Sequence, residues 1–280
     1  MSVAENLKSA AFSLYERLLP GSAKVPVVRL EGMIAAGGRG GGQTLSLQRV
    51  EKLLERAFSM NDAPAVALLI NSPGGSPVQS RLIYRRIRAL AEANKKTVLV
   101  FCEDAAASGG YMLACAGDEI FCDGSSILGS IGVVSSGFGF TDVMKKVGVE
   151  RRLKTAGADK VLADPFGPET KEQSERLESI MAKMHEQFID IVRTRRSEKL
   201  AEDADLFTGA VFIGTDAVAN GLADGEADLK AELQERYGED VRIKMLAPKR
   251  AGALSRFVGS TSEVLADTLE SRGLWARLGL

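Results

Sequence analysis

Apolar positions along this chain follow two periods that alternate. Residues 65–70 read AVALLI and residues 97–102 read TVLVFC, both continuous apolar runs. Unbroken runs of this length predict strands buried on both faces. Val25 to Leu30 predicts another short strand. Between the runs the spacing changes to that of a helix, over 45–60 and again over 78–93, where Leu82, Ile87, Leu90 and Ala91 are expected to face inward. A short helix from about Ser108 and a strand around 119–122 follow. Strand, helix, strand in repetition predicts an α/β fold, a parallel sheet with crossover helices.

The longest predicted helix starts at Pro168. It carries Leu177, Ile180, Met181, Met184, Phe188, Ile191 and Val192 at spacings of three and four. Glu169 suits its start and Arg193, Arg195 and Arg196 suit its end. That face packs on the core or on another subunit. A second α/β stretch runs to about Ile243. Residues 1–20 predict an amphipathic helix through Val3, Leu7, Ala11, Leu14 and Leu18, closed by Pro20-Gly21. It packs on its own domain or a neighbour, or makes a peripheral membrane contact. The stretch 35–42, AAGGRGGG, lacks the G-x-x-x-x-G-K-[ST] pattern and is expected to be a loop. The expected organisation is therefore an N-terminal helix at 1–20, one domain at 21–247 and a tail at 248–280.

Composition narrows the function classes. Of 280 residues 45% are apolar and 26% charged, and the net charge is -1. Such a balance offers no electrostatic case for a nucleic-acid partner. Cys102, Cys115 and Cys122 are an odd set without a small, loop-rich layout, so free buried thiols are expected rather than a disulfide framework. There is no C-x-x-C and only one histidine, so no metal site or other cofactor is expected. No run reaches the roughly 18–20 apolar residues that span a bilayer. Nor does the N-terminus show a basic, then apolar leader. The expectation is a soluble, cytoplasmic chain.

Three segments place special groups at the ends of buried strands, where parallel sheets bind ligands. Asn71-Ser72-Pro73-Gly74-Gly75 follows AVALLI, and its glycines leave backbone N–H groups able to approach an oxyanion. A P-G-G by itself is also an ordinary turn. Ala105-Ala106-Ala107-Ser108-Gly109-Gly110 follows TVLVFC and sets one hydroxyl among small residues at a helix start. A helix N-terminus favours developing negative charge, although a serine there can equally be a simple cap. The G-x-S-x-G elbow is not met, since Ala106 stands at the first glycine. A serine nucleophile needs a base. The sole histidine, His185, lies mid-helix with no visible partner loop, which argues against a Ser-His-Asp triad. Lys160, in Thr155-Ala156-Gly157-Ala158-Asp159-Lys160, is the alternative. A lysine amine acts as a base where its surroundings favour the neutral form, but locally Lys160 also reads as a solvated surface residue.

Taken together, INSPGG at 70–75, ASGGYMLACAGDEIF at 107–121, LGSIGVV at 128–134, AGADK at 156–160 and the run through Gly209, Phe212, Gly214, Ala217, Gly221, Leu222 and Asp224 resemble the family of signal peptide peptidase A, the protease IV-like serine peptidases. The resemblance covers most of residues 25–230. It implies a ClpP/crotonase-like fold and a serine endopeptidase acting on peptides, unfolded segments or remnant signal peptides. By position, Ser108 matches the nucleophile, Lys160 the general base and Ser130 a hydroxyl that orients the lysine. Gly75 and Gly109 match the oxyanion donors, with Gly74 beside them. The single-repeat layout resembles the short form, a homo-oligomeric ring in which one site takes its serine and its lysine from different subunits. Two other readings compete. One is an inactive scaffold binding a peptide or a membrane partner. The other is an acyl-CoA hydratase or isomerase, which shares the fold but for which the loops show no pair of glutamates.

Overall fold

The computed structural model describes residues 22–36, 44–157, 160–202, 205–247 and 272–279. The helix expected at 1–20, most of the glycine loop and most of the tail lie outside the described residues.

The continuous apolar runs form the centre of a mostly parallel sheet. Strand β1 (Lys24–Glu31) pairs with β2 (Ala65–Ser72), and β2 pairs with β3 (Thr97–Ala107). On the far side of β1 lies β8 (Arg242–Leu246). The first half of β3 pairs with β4 (Glu119–Cys122), which pairs with β7 (Gly225–Glu226). Its second half pairs with β5 (Ile127–Gly129). All of these pairs are parallel, whereas β6 (Val211–Ile213) joins β5 antiparallel.

Alternate residues of the central strands enter two cores, which is why the runs carry no polar alternation. Val66, Leu68, Ile70, Val98 and Val100 face the larger core. It is closed by α1 (Leu47–Phe58), α2 (Pro77–Asn94), α3 (Gly109–Ala114) and the end of α5 (Lys171–Arg196). Ala65, Ala67, Leu69, Leu99 and Phe101 face a smaller core under α6 (Leu229–Tyr237), where Leu233 is buried.

Three expectations are corrected in detail. Leu82 is 39% exposed, and Ile83 takes the inward place on α2. The long helix starts at Lys171 rather than Pro168. Thr170 caps it, its hydroxyl accepting from the Gln173 N–H while the Gln173 side chain accepts from the Thr170 N–H. Of the apolar residues expected along its face only Phe188 and Val192 are buried. Arg196, expected to suit its C-terminus, lies there and is buried.

The three cysteines are free and buried, as expected. Burial pushes the Cys115 thiol up to about 12 and the Cys122 thiol up to about 11, so neither is a ready nucleophile.

Candidate active site

The site depends on a break in β3. Register with β2 runs evenly to the Ile70–Cys102 pair and resumes at Ser72–Ala106, so β3 carries extra residues around Glu103-Asp104. A bulge of this kind bends a strand and frees ladder groups. The Asn71 amide fills the gap. Its Nδ2 donates to Asp104 at 2.6 Å, and its Oδ1 accepts from the Ala105 N–H at 3.2 Å. Beyond the bulge, Ala105–Ala107 move onto β5.

Ser108 and Ser130 are thereby brought together. Each stands one residue past a paired position, Ala107 on β3 and Gly129 on β5. The Ser108 N–H donates to the Gly129 carbonyl at 2.8 Å, and the Ser130 N–H donates to the Ala210 carbonyl at 2.7 Å. Both serines are partly buried and both have positive φ, 51° and 50°. For a residue other than glycine this conformation costs about 1–3 kcal/mol and persists only where the surroundings impose it. Ser108 occupies the N-cap of α3, but its side chain makes no cap hydrogen bond. The simple-cap reading therefore fails. Although Ala106 breaks the elbow sequence rule, Ser108 sits on a strained strand-to-helix turn, the same physical device.

The glycines expected nearby are at this turn. A Cβ on Gly74, whose φ is +99°, would lie 2.8 Å from both the Gly109 nitrogen and the Ser108 Cβ. Gly75, at φ +138°, lies between two bonds to Ile34. The Gly74 carbonyl accepts from the Ile34 N–H at 2.8 Å, and the Ile34 carbonyl accepts from the Ser76 N–H at 2.7 Å. Gly109 and Gly110 open α3, where no preceding turn can accept from their N–H groups. The Gly74 N–H is committed to the Ser72 hydroxyl at 3.2 Å, whereas among the described residues the N–H groups of Gly75 and Gly109 make no hydrogen bond.

Among the described residues Lys160 forms no hydrogen bond with Ser108 or Ser130. It lies on an exposed loop, and among the described residues its one hydrogen bond is from its N–H to the Gly157 carbonyl at 3.4 Å. The loop belongs to an arm, described over residues 132–157 and 160–170, that includes the short helix α4 (Thr141–Lys146), which has no buried residue. Phe140 stacks on Phe166, and Arg151 lies over that ring and pairs with Asp164. Phe138 is 83% exposed, and Val143, Val147, Val149 and Leu153 are exposed too.

Two supports were not foreseen. His185 on α5 is partly buried, with Nε2 2.9 Å from the Ile131 carbonyl. A backbone acceptor leaves no mark in sequence. Arg196 forms two hydrogen bonds to Asp224 and one to the Gly221 carbonyl. Next to it the Tyr111 hydroxyl, on α3, donates to the Leu222 carbonyl at 2.8 Å. The G-L-A-D run thus ties α3, the helix that follows Ser108, to the long helix.

The fold puts the chain in the ClpP/crotonase-like class. Over 84% of this chain and 97% of the other, it superposes on the 1510-N membrane-bound stomatin-specific protease, a mutant in complex with a substrate peptide, with a TM-score of 0.51 and 15% identity. At that identity the likeness is one of fold. The chain belongs to peptidase family S49, which it matches over residues 90–243, more than half its length and inclusive of Ser108, Ser130 and Lys160. It is 30% identical to Protease 4 of Haemophilus influenzae over 79% of this chain and 36% of that protein. It is 49% identical to a Brucella abortus protein named Na(+)/H(+) antiporter NhaA, over 98% of this chain and 40% of that protein. The chain thus spans well under half the length of either relative, and the antiporter name belongs to that longer protein. Among the described residues no helix is long and apolar enough to cross a membrane.

Proposed function

We propose that the chain is an endopeptidase with a Ser108/Lys160 dyad, assembled so that each site takes its lysine from a neighbouring subunit. The observation that carries this reading is the uncapped Ser108 hydroxyl on its strained turn, flanked by glycine N–H groups. Ser108 Oγ attacks the scissile carbonyl and its proton passes to Lys160 Nζ. The oxyanion is held by the N–H groups of Gly75 and Gly109. Collapse expels the amine, which takes the proton from Lys160, leaving an acyl-enzyme on Ser108. Water, deprotonated by the same lysine, then releases the acid. Ser130, ending the strand next to Ser108, orients the lysine amine.

The exposed arm supports subunit sharing. It carries Lys160 together with Val143, Val147 and Val149, apolar side chains that are exposed among the described residues. Packing against a second copy would bury these side chains and desolvate the amine, which favours its neutral form. Substrates in this reading are peptides or unfolded segments, remnant signal peptides among them, and the site of action is cytoplasmic, at the face of the inner membrane.

Peptide hydrolysis by Ser108→Ala and Lys160→Ala, alone and mixed, tests this proposal. Each variant alone is expected to be folded and inactive. Co-assembled subunits are expected to regain part of the wild-type rate, because some sites then hold an intact serine and an intact lysine. Activity in Lys160→Ala alone would remove the lysine from the mechanism. Failure of properly mixed assemblies would confine each site to one chain.

A further inference from the structure

His185 is the only histidine in the chain, and the mechanism above gives it no task. Its Nε2 lies 2.9 Å from the carbonyl oxygen of Ile131, the residue that follows Ser130. A carbonyl can only accept, so Nε2 carries the hydrogen. Ser130 itself is held at φ 50°, where a residue with a Cβ stays only under constraint. Two hydrogen bonds flank it. On one side its own N–H donates to the Ala210 carbonyl, and on the other His185 holds the Ile131 carbonyl. The Ile131 side chain is fully buried, so this residue is fixed at both its side chain and its carbonyl. The arm that carries Lys160 leaves the sheet immediately afterwards. His185 comes from α5, far along the chain, and joins this turn to a long helix whose end is locked by Arg196 and Asp224.

We propose that His185 is a positioning residue for peptide hydrolysis: by holding the Ile131 carbonyl it fixes the strained Ser130 turn, and so the hydroxyl that orients the lysine amine. The proposal rests on the role given to Ser130 above. His185 does not touch the substrate in this scheme, so its loss should act on the chemical step and spare substrate binding.

Steady-state hydrolysis by the full, assembled chain tests this. His185→Leu keeps apolar volume and removes the donor, whereas His185→Gln places an amide N–H close to the Nε2 position. The leucine variant is expected to lower kcat by about tenfold, the upper end of the worth of one net hydrogen bond, with KM unchanged. His185→Gln should recover kcat to within about threefold of wild type, as expected if the donor is what matters. In a Ser130→Ala background, His185→Leu should cause no further loss, because both changes act through one hydroxyl. Should the leucine variant fail to assemble, His185→Asn, whose amide stops short of the carbonyl, serves as the donor-less form. Wild-type kcat in the donor-less variant would overturn the proposal. So would a loss that glutamine does not repair, or an equal loss with and without the Ser130 hydroxyl. If Ser108→Ala or Ser130→Ala retains full turnover, the underlying mechanism fails and this proposal falls with it. If both lose turnover while His185→Leu does not, only the role of His185 is refuted.

Discussion

Gly74 offers a quantitative test of how tightly the Ser108 turn is built. Gly74→Ala would add a Cβ 2.8 Å from the Gly109 nitrogen, 2.8 Å from the Ser108 Cβ and 2.9 Å from the Ala107 carbonyl oxygen, at φ +99°. Alanine at such a φ costs roughly 1–2 kcal/mol by itself. Two of the three contacts are backbone atoms, which cannot swing aside, and overpacking of this kind costs a further 1–3 kcal/mol or so. The expected loss is therefore about 2–5 kcal/mol. Gly238→Ala isolates the first contribution, because Gly238 has φ +94° and nothing within 4 Å of its added Cβ. Urea unfolding at fixed protein concentration measures both, with unchanged m-values confirming that midpoints report stability. Gly74→Ala should also lower kcat/KM by on the order of a hundredfold, since a shift of about 1 Å in a catalytic group has that effect. Relief of the clash must move Ser108 or Gly109. Equal midpoints for the two variants, with hydrolysis by Gly74→Ala within about threefold of wild type, would refute the packing argument.

Other consequences follow from buried charge and from the arm. Arg196 is 2% exposed and pairs with Asp224. Arg196→Leu removes the buried partner of Asp224 while Lys199 and the Ile120 N–H still hold that carboxylate, so the loss in urea unfolding should stay below the roughly 3–5 kcal/mol of a fully stranded charge, and adding Asp224→Asn should recover part of it. Asp118 and Asp224 are both held below the ordinary carboxylate range. Burial is the largest single influence on each and acts upward. For Asp118 the Val98 N–H, Arg195 and Arg88 outweigh it, and for Asp224 Arg196, Lys199 and the Ile120 N–H do so. Because the unfolded values lie higher, near 3.9, the unfolded chain takes up protons first. Stability from these groups is full above about pH 5 and is lost as pH falls through their folded values. Asparagine at either position should flatten the acid limb of a stability-against-pH curve. An unchanged limb would contradict the assignment. The double change Val143→Asp with Val147→Asp, on the exposed arm, should leave the fold intact while reducing assembly size by light scattering and abolishing hydrolysis; unchanged size would remove the arm from the interface.

Much of the architecture was legible because it is local. AVALLI and TVLVFC announce strands buried on two faces, and the glycine-bearing segments after them lie at the strand ends. The helix spacing located α1, α2 and α5. What escaped depends on contacts between distant segments. β3 continues through the polar Glu103-Asp104 because the Asn71 amide satisfies the bulge, which the period of β3 does not reveal. Arg196 read as a partner for the helix dipole, yet Asp224, from a later segment, draws it into the interior. Leu82 and Ile83 exchanged places because adjacent apolar residues fit a helical stripe about equally well. In the candidate site, Ser108 and the glycines at 74 and 75 were picked out by their small neighbours and strand-end positions, and Ser130 only by the family resemblance. His185 was not, since its partner is a main-chain carbonyl.

The central claim is that Ser108 is a nucleophile activated by Lys160. Labelling with a fluorophosphonate serine probe, followed by mass spectrometry of wild type, Ser108→Ala and Lys160→Ala, tests it most directly. The account predicts an adduct on Ser108 in the wild type and none in either variant. A folded, assembled wild type that takes no label, an adduct on another serine, or undiminished labelling without Lys160 would contradict it.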